Sequence, residues 1–323
     1  MSARFPAAAA PAAGTLRPRR RRRARPAVLA GRLAPYALLA PAAAVLGAVL
    51  AYPLYVLGRL SFERYGLAEI IQHKGVWVGL DNYTQILHDP QFWHVVVRTL
   101  AFTAVAVGST MVLGTLIALL MGALGNFMRL VLATGLVFVW ATPVVVAVTI
   151  WQWMVDYEFG VANWTLTKLH VGDFFHHDWF ENPWSGFAVI AGVVVWGAIP
   201  FVAITLYAGL SQVPRELLEA ASSDGANAWR VFRDITFPLM NPIFVILTTL
   251  SIIWDFQVFN QVWIMRDARP TEDYYVMSVY SFVESFRVSE YGLGSSIAVV
   301  MVLIMFAVAF FYIREMVKIG EAE

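Results

Sequence analysis

The chain has 323 residues, 59% of them apolar and only 14% charged, with a formal net charge of +1 and a mean hydropathy of +0.64. A soluble domain carries about 25% charged residues, so charge is too scarce here to cover a water-facing surface, and the near-neutral balance gives no basic footprint for nucleic acid. The absence of cysteine excludes disulfides, thiolate metal sites and cysteine nucleophiles.

Arginine is concentrated at the start. Arg4, Arg17, Arg19 to Arg23, Arg25 and Arg32 precede the first apolar run, in a stretch rich in alanine and proline. This composition predicts a disordered tail over residues 1–33. The apolar run behind it is about 25 residues long, beyond the 7–15 of a signal-peptide core, and reads as a retained anchor helix. Six stretches reach the roughly 20 apolar residues that a bilayer-spanning helix needs. They run at about 34–58, 94–121, 129–154, 186–209, 243–264 and 293–313 within a membrane domain at 34–318. With the N-terminus inside, the inner segments hold fifteen Lys and Arg and the outer segments eight. The positive-inside rule therefore places both termini and the 210–242 loop in the cytoplasm. The outer stretches 75–93 and 155–185 mix aromatics with turn residues and acids, as expected of interfacial anchoring belts in contact with lipid.

Residues Glu219–Pro242, EAASSDGANAWRVFRDITFPLMNP, are the sharply patterned polar island of the chain. Pro214 suits the first turn of a helix through Arg215–Ala221, with Leu217, Leu218 and Ala221 on one side and Glu216 and Glu219 flanking. Gly225 permits a turn. A second short helix is expected from about Ala226 to Asp234, ended by Pro238 and Pro242. Four acids (Glu216, Glu219, Asp224, Asp234) face three arginines (Arg215, Arg230, Arg233). Anionic lipid would not attract that balance, so the groove of another protein is the better partner.

This spacing resembles the EAA motif of the permease subunits of binding-protein-dependent ATP-binding-cassette importers. Glu219, Ala220, Ala221, Gly225, Ile235 and Pro238 fall on the motif positions, Asp224-Gly225-Ala226 looks like its common DGA form, and Phe237 stands where leucine is usual. Beyond the loop, residues 35–60, Gly79–Tyr83, Phe256–Trp263 and Tyr280–Ile304 look like the carbohydrate branch near the maltose and glycerol-phosphate permeases, and the nearest likeness is to actinobacterial di- and oligosaccharide permeases, including the chitobiose type. Arg266–Pro270 replaces a Gly-Gly-Pro stretch that the branch often carries. The resemblance implies an all-α integral membrane fold of six helices, the type I importer fold, with a cytoplasmic coupling helix. It also implies a second permease subunit, two ATPase subunits that use ATP and magnesium, and an extracytoplasmic sugar-binding protein. The chain has no G-x-x-x-x-G-K-[ST] phosphate loop, so it would need a separate ATPase. It binds no cofactor or metal of its own on this reading.

Span five carries unusual polarity. Asp255, Gln257, Asn260 and Gln261 lie beside Trp254 and Phe259. An ionisable group in a span usually faces a cavity or a partner. Gln257, Asn260 and Gln261 recur at i, i+3 and i+4, so they are expected to share one face. Amides and a carboxylate would match sugar hydroxyls, and aromatic rings would match pyranose faces. The same groups could instead bond between helices, and Asp255 could pair with a cation of a partner subunit. The six histidines lie in or beside outer stretches; His176-His177-Asp178 reads as a solvated loop rather than a metal site. No HExxH or G-x-S-x-G motif supports an enzyme. An ion-gradient-driven transporter is the alternative, but such a protein has no need of the Glu219 segment and often shows inverted repeats, which are not apparent between 34–154 and 186–313.

Overall fold

The computed structural model describes residues 27–320. It is helical almost throughout. The chain begins with α1 (Ala27–Leu60), α2 (Leu67–Gln72) and α3 (Asp81–His88), then the long α4 (Pro90–Ala123). After α4 come α5 (Asn126–Ala141), α6 (Val144–Met154), α7 (Val161–Lys168) and α8 (Pro183–Leu210). The polar island forms α9 (Arg215–Ser223) and α10 (Ala228–Val231), followed by α11 (Phe237–Phe256), α12 (Asn260–Met265), α13 (Met277–Phe282) and α14 (Tyr291–Gly320). Among the described residues the only strands are β1 (Glu63–Arg64) and β2 (Val76–Trp77), an antiparallel pair with Glu63 opposite Trp77. Five helical stretches are long and apolar enough to cross a bilayer, and six if α5 and α6 together count as one broken span.

Two compact units divide at Tyr55. In the first, α1 begins at Ala27, inside the stretch 1–33 expected to be tail; the arginine run before it lies outside the described residues, apart from Arg32 within α1. Tyr36 and residues 38–55 are all exposed. An apolar helix with no buried side belongs in lipid or against another protein.

The second unit, Val56–Glu323, is built on the parallel pair α4 and α8. Val95, Thr99, Phe102, Ala106, Thr110, Ala118 and Met121 form the buried stripe of α4 at helical spacing. Its partner stripe on α8 includes Ile190, Val194, Val202, Ala203 and Leu206. Gly114 sets the distance between them, because a Cβ there would lie 2.6 Å from Val202 Cγ1. Small residues let membrane helices approach closely where no hydrophobic force drives association. We expect Gly114→Leu to cost about 1–3 kcal/mol through overpacking, seen as a lower unfolding temperature in detergent, whereas Val112→Leu on the exposed side of α4 leaves it unchanged.

The ends where α4 and α8 begin are tied down by polar contacts. Asp89 Oδ1 accepts from Gln91 N–H at 2.9 Å and its Oδ2 accepts from Tyr280 O–H at 2.9 Å, so one carboxylate caps α4 and binds α13. Asn182 caps α8 in the same way through Trp184 N–H, and a proline follows each cap. The patch Gly79–Tyr83 carries packed structure. Asn82 is buried and donates to the carbonyls of Ser61 (2.9 Å) and Glu63 (3.0 Å), while Tyr83 O–H donates to Ser61 Oγ at 2.7 Å. Asn82→Leu strands two buried carbonyls, for which we expect a loss of about 1–3 kcal/mol, read as faster proteolysis between Ser61 and Asp81.

Three expected elements are different in the structure. The span at 129–154 is not one helix: α5 and α6 meet at 99° across Thr142-Pro143. Pro143 has no N–H to continue the ladder and disfavours a helical residue before it. The span at 243–264 ends at Phe256, and α12 is a separate turn beginning at Asn260. Pro238 and Pro242 do not separate the polar island from span five, since helix runs unbroken from Ala228 to Phe256. The chain accommodates Pro238 by opening into a π-helical turn over Phe232–Thr236 immediately before it. A wider turn relieves the clash between a proline ring and the carbonyl four residues back.

Candidate functional site

The Glu219 segment sits where α4 and α8 end and α11 begins. None of the residues of α9 is buried. Glu219 and Ala220 are exposed, Leu218 and Ala221 half-buried, and Leu217 keeps 45% of its surface open although it is a large aliphatic residue. The helix ends in a motif that accounts for the order of small residues. Gly225 N–H donates to Ser222 C=O at 3.1 Å and Ala226 N–H to Ala221 C=O at 3.0 Å. These are the paired closing bonds of a Schellman C-cap. It places Gly225 at φ +82°, in the left-handed region that suits glycine. Ala221 and Ala226 make the small, half-buried pair across the cap. Asp224 is exposed beside it, and Asn227 Oδ1 accepts from Arg230 N–H at 2.9 Å to start α10. Ile235 is half-buried in the π-turn and Pro238 exposed at the start of α11. The expected motif residues thus form one continuous feature: an exposed short helix, a left-handed stop and a rigid helical arm into span five.

A concavity of about 1310 Å³ opens between α4, α11 and α14 and is walled by Met111, Trp229, Phe237, Phe244, Ile304 and Phe311 among others. Its walls are mostly apolar, with Thr115, Asn241, Thr248, Thr249 and Tyr312 among them. A ligand site needs a few placed polar groups as well as apolar walls, and a smaller cavity of about 260 Å³ also has them. Trp140 of α5, Thr142 at the break, Val144 and Ala147 of α6, Trp196 and Phe201 of α8, and Trp254, Asp255 and Gln261 line it. Asp255 is only 5% exposed, and its Oδ2 has no hydrogen-bond partner. Trp254 packs edge-on against Phe201 with ring centroids 5.3 Å apart. The cavity borders both helix breaks, at Thr142-Pro143 and beyond Phe256. Irregular backbone at membrane depth is tolerated where it lines a cavity.

Of the residues singled out in span five, Trp254, Asp255 and Gln261 reach this cavity; Gln257, Asn260 and Phe259 do not. Gln257 is exposed and donates to Ile253 C=O at 2.9 Å, Asn260 is exposed, and Phe259 stacks on Trp263 at 5.4 Å. The common face expected for Gln257, Asn260 and Gln261 is lost because α11 stops at Phe256. Beyond the break, Ser278 O–H donates to Val258 C=O. Val258 itself is buried in the core. The sequence reading missed Trp140, Thr142, Trp196 and Phe201. A proline within an apolar span, Pro143, was the available signal. Among the described residues no three His, Asp or Glu side chains come together to hold a metal. His176 lies against Phe175 and Tyr157, and His177 against Phe174 and Trp179.

Several bilayer-length helices, an exposed helix at one end of the bundle and a part-polar cavity between broken helices define a multi-pass membrane permease. Residues 111–318 match the family of binding-protein-dependent transport system inner membrane components, and the chain belongs to that family. The diacetylchitobiose uptake system permease protein DasB of Streptomyces coelicolor is 44% identical over 301 residues, covering 93% of this chain and 92% of that one. The trehalose/maltose transport system permease protein MalF of Thermococcus litoralis is 30% identical over 238 residues, 74% of this chain and 79% of its own. The fold matches a chain in the crystal structure of a bacterial transporter involved in import of the acidic polysaccharide alginate, with a TM-score of 0.76 over 90% of this chain and 98% of that one at 18% identity.

Proposed function

We propose that this chain is the permease subunit of an ATP-driven importer of di- or oligosaccharides, seated in the bacterial cytoplasmic membrane with both termini and the 210–242 loop inside. It forms half of the path beside a second permease subunit. The observation that carries the reading is α9: a helix with no buried residue, closed by a glycine stop, on a rigid arm into span five. An exposed amphipathic helix fits a groove. Here the groove belongs to an ATPase subunit, one of two, where ATP and magnesium are bound and used. Glu219, Ala220, Ala221, Asp224 and Gly225 make the contact, and Ile235 and Pro238 belong to the arm. When the ATPases close, the arm carries the motion into α11, whose other end holds Trp254 and Asp255 at the cavity. An extracytoplasmic binding protein delivers the sugar. Relatives named for sugar uptake support the substrate class. An ion-driven carrier would leave the exposed α9 without a role. Reconstitution with the partner subunits and binding protein tests this directly. ATP hydrolysis should rise with a carbohydrate from a panel; a rise with peptides or ions alone refutes the sugar reading.

A further inference from the structure

We propose that the groove between the first turns of α4 and α8 binds an anionic glycerophospholipid, its phosphate at Arg98 and His94 and an acyl chain along the two helices. The groove has a volume of about 750 Å³ and lies at the end of the pair away from the 210–242 loop. Trp93, His94, Val97, Arg98, Ala101 and Val105 line it from α4, at the i, i+3, i+4 spacing of one helix face. Trp184, Phe187, Ala188 and Ala191 line it from α8 at the same spacing. Phe102 and Phe187 bridge the two helices with ring centroids 5.9 Å apart. Polarity is confined to one end. Arg98 and His94 are there with Trp93 and Trp184 nearby, and every lining residue farther along either helix is apolar.

Bilayer dimensions put that end at headgroup depth. At about 1.5 Å per residue the 34 residues of α4 extend about 51 Å, against about 30 Å of hydrocarbon. Centred on the bilayer, α4 keeps about seven residues at each end outside the hydrocarbon. Trp93 and His94 then lie among the headgroups and Arg98 at their boundary. The same reckoning for the 28 residues of α8 leaves about four outside, Trp184 among them. Tryptophan favours this level. Arg98 is half-buried, and its Nη1 donates to the carbonyls of Glu272 at 2.8 Å and Tyr275 at 2.9 Å. Those bonds hold the guanidinium in place without neutralising it. Among the described residues its Nε and Nη2 make no hydrogen bond, and no carboxylate forms an ion pair with it; Asp273 acts on it from farther off. His94 is exposed and is the other ionisable group of the lining, so no acid offsets the pair within the groove. A cation at the edge of hydrocarbon is costly unless an anion meets it, and a planar guanidinium fits two phosphate oxygens at once. A phospholipid has the order of the groove, with charge at one end and an apolar chain behind. A zwitterionic headgroup would bring a second cation with its phosphate, so the anionic class fits better. A spanning helix of another subunit is apolar along this length and would leave Arg98 unmatched.

The test uses the assembled transporter in nanodiscs of equal phosphatidylglycerol and phosphatidylcholine, with the retained lipids counted by native mass spectrometry after release into mild detergent. The wild type should keep phosphatidylglycerol over phosphatidylcholine by about fivefold or more. Arg98→Gln leaves a donor for the Glu272 and Tyr275 carbonyls but no charge, and should bring the two lipids within about twofold of each other. Ala188→Phe keeps both cations and fills the groove from an exposed position, and it should have the same effect. Lys168→Gln removes a cation of α7 that does not line the groove and should leave the preference unchanged. Benzoylphenylalanine in place of Ala101 should crosslink to phosphatidylglycerol on illumination. Equal retention of the two lipids by the wild type, or a preference that survives either groove variant, overturns the proposal. So does a crosslink from position 101 to a protein chain, which would make the groove a subunit interface.

Discussion

Gly225→Val is expected to reduce sugar-stimulated ATP hydrolysis by the reconstituted transporter about tenfold or more, with the chain still present in the membrane at a normal level. Gly225 stands at φ +82°, and a Cβ built there meets nothing within 4 Å. Sterics with neighbours therefore contribute nothing. The cost is the left-handed backbone, about 1–2 kcal/mol for an ordinary residue and more for a β-branched one. That strain falls on the bonds from Gly225 to Ser222 and from Ala226 to Ala221, which hold the turn between α9 and Asn227. The bundle itself is formed by α4, α8, α11 and α14 and does not depend on them. Coupling should be lost while folding is kept. Asparagine tolerates the left-handed region, so Gly225→Asn should retain most of the activity. Gly225→Asp adds a charge against the partner groove as well as strain, and Glu219→Lys changes only the exposed face of α9; both should uncouple. Wild-type hydrolysis and uptake by Gly225→Val, at normal expression, would remove α9 from the coupling path.

The pattern Glu219–Gly225 is legible in the sequence because its logic is local. A helix, a left-handed stop and a new N-cap are specified by the residues that form them. Long apolar runs are legible for the same reason, since length and composition alone decide bilayer crossing. The places where tertiary contacts override the run are not. Nothing in the stretch Trp254–Trp263 shows that the helix will end at Phe256, with Val258 buried and its carbonyl bonded to Ser278, twenty residues beyond it. The face expected for Gln257 and Asn260 therefore does not exist. Pro238 and Pro242 mislead in the other direction. Each reads as a stop, but a π-turn lets the helix pass and turns the polar island and span five into one lever. Pro143 does break its span, and that break opens the cavity to the first turn of α6. The same residue type has opposite outcomes, decided by whether the preceding turn widens or ends.

Asp255→Leu is expected to separate stability from transport in opposite directions. The carboxylate is buried with an unpartnered oxygen and no ion-pair partner among the described residues. Burying a polar group without a compensating bond costs about 1–3 kcal/mol by mutational measures. Replacing even a buried ion pair by apolar groups of similar size is often neutral or stabilising by about 1–4 kcal/mol, and an unpartnered buried carboxyl has no paired attraction to lose. The cavity beside Asp255 has space for the larger leucine side chain, so overpacking should be small. The variant should unfold in detergent at a temperature equal to the wild type or roughly a few degrees above it. Uptake of the cognate sugar should fall about tenfold, the equivalent of a lost hydrogen bond at the upper end of about 0.5–1.5 kcal/mol. Asp255→Asn keeps one acceptor oxygen and should lie between. A residue kept for packing shows the reverse pattern, because its loss lowers the unfolding temperature first and transport only as a consequence. If Asp255→Leu unfolds many degrees lower, Asp255 is bonded within the fold and its apparent orphan oxygen is not a binding group. If uptake is unchanged with stability raised, the sugar passes elsewhere. The expected pair of results, a firmer protein that transports poorly, is the signature of a group retained against stability because a passing ligand supplies its missing hydrogen bond.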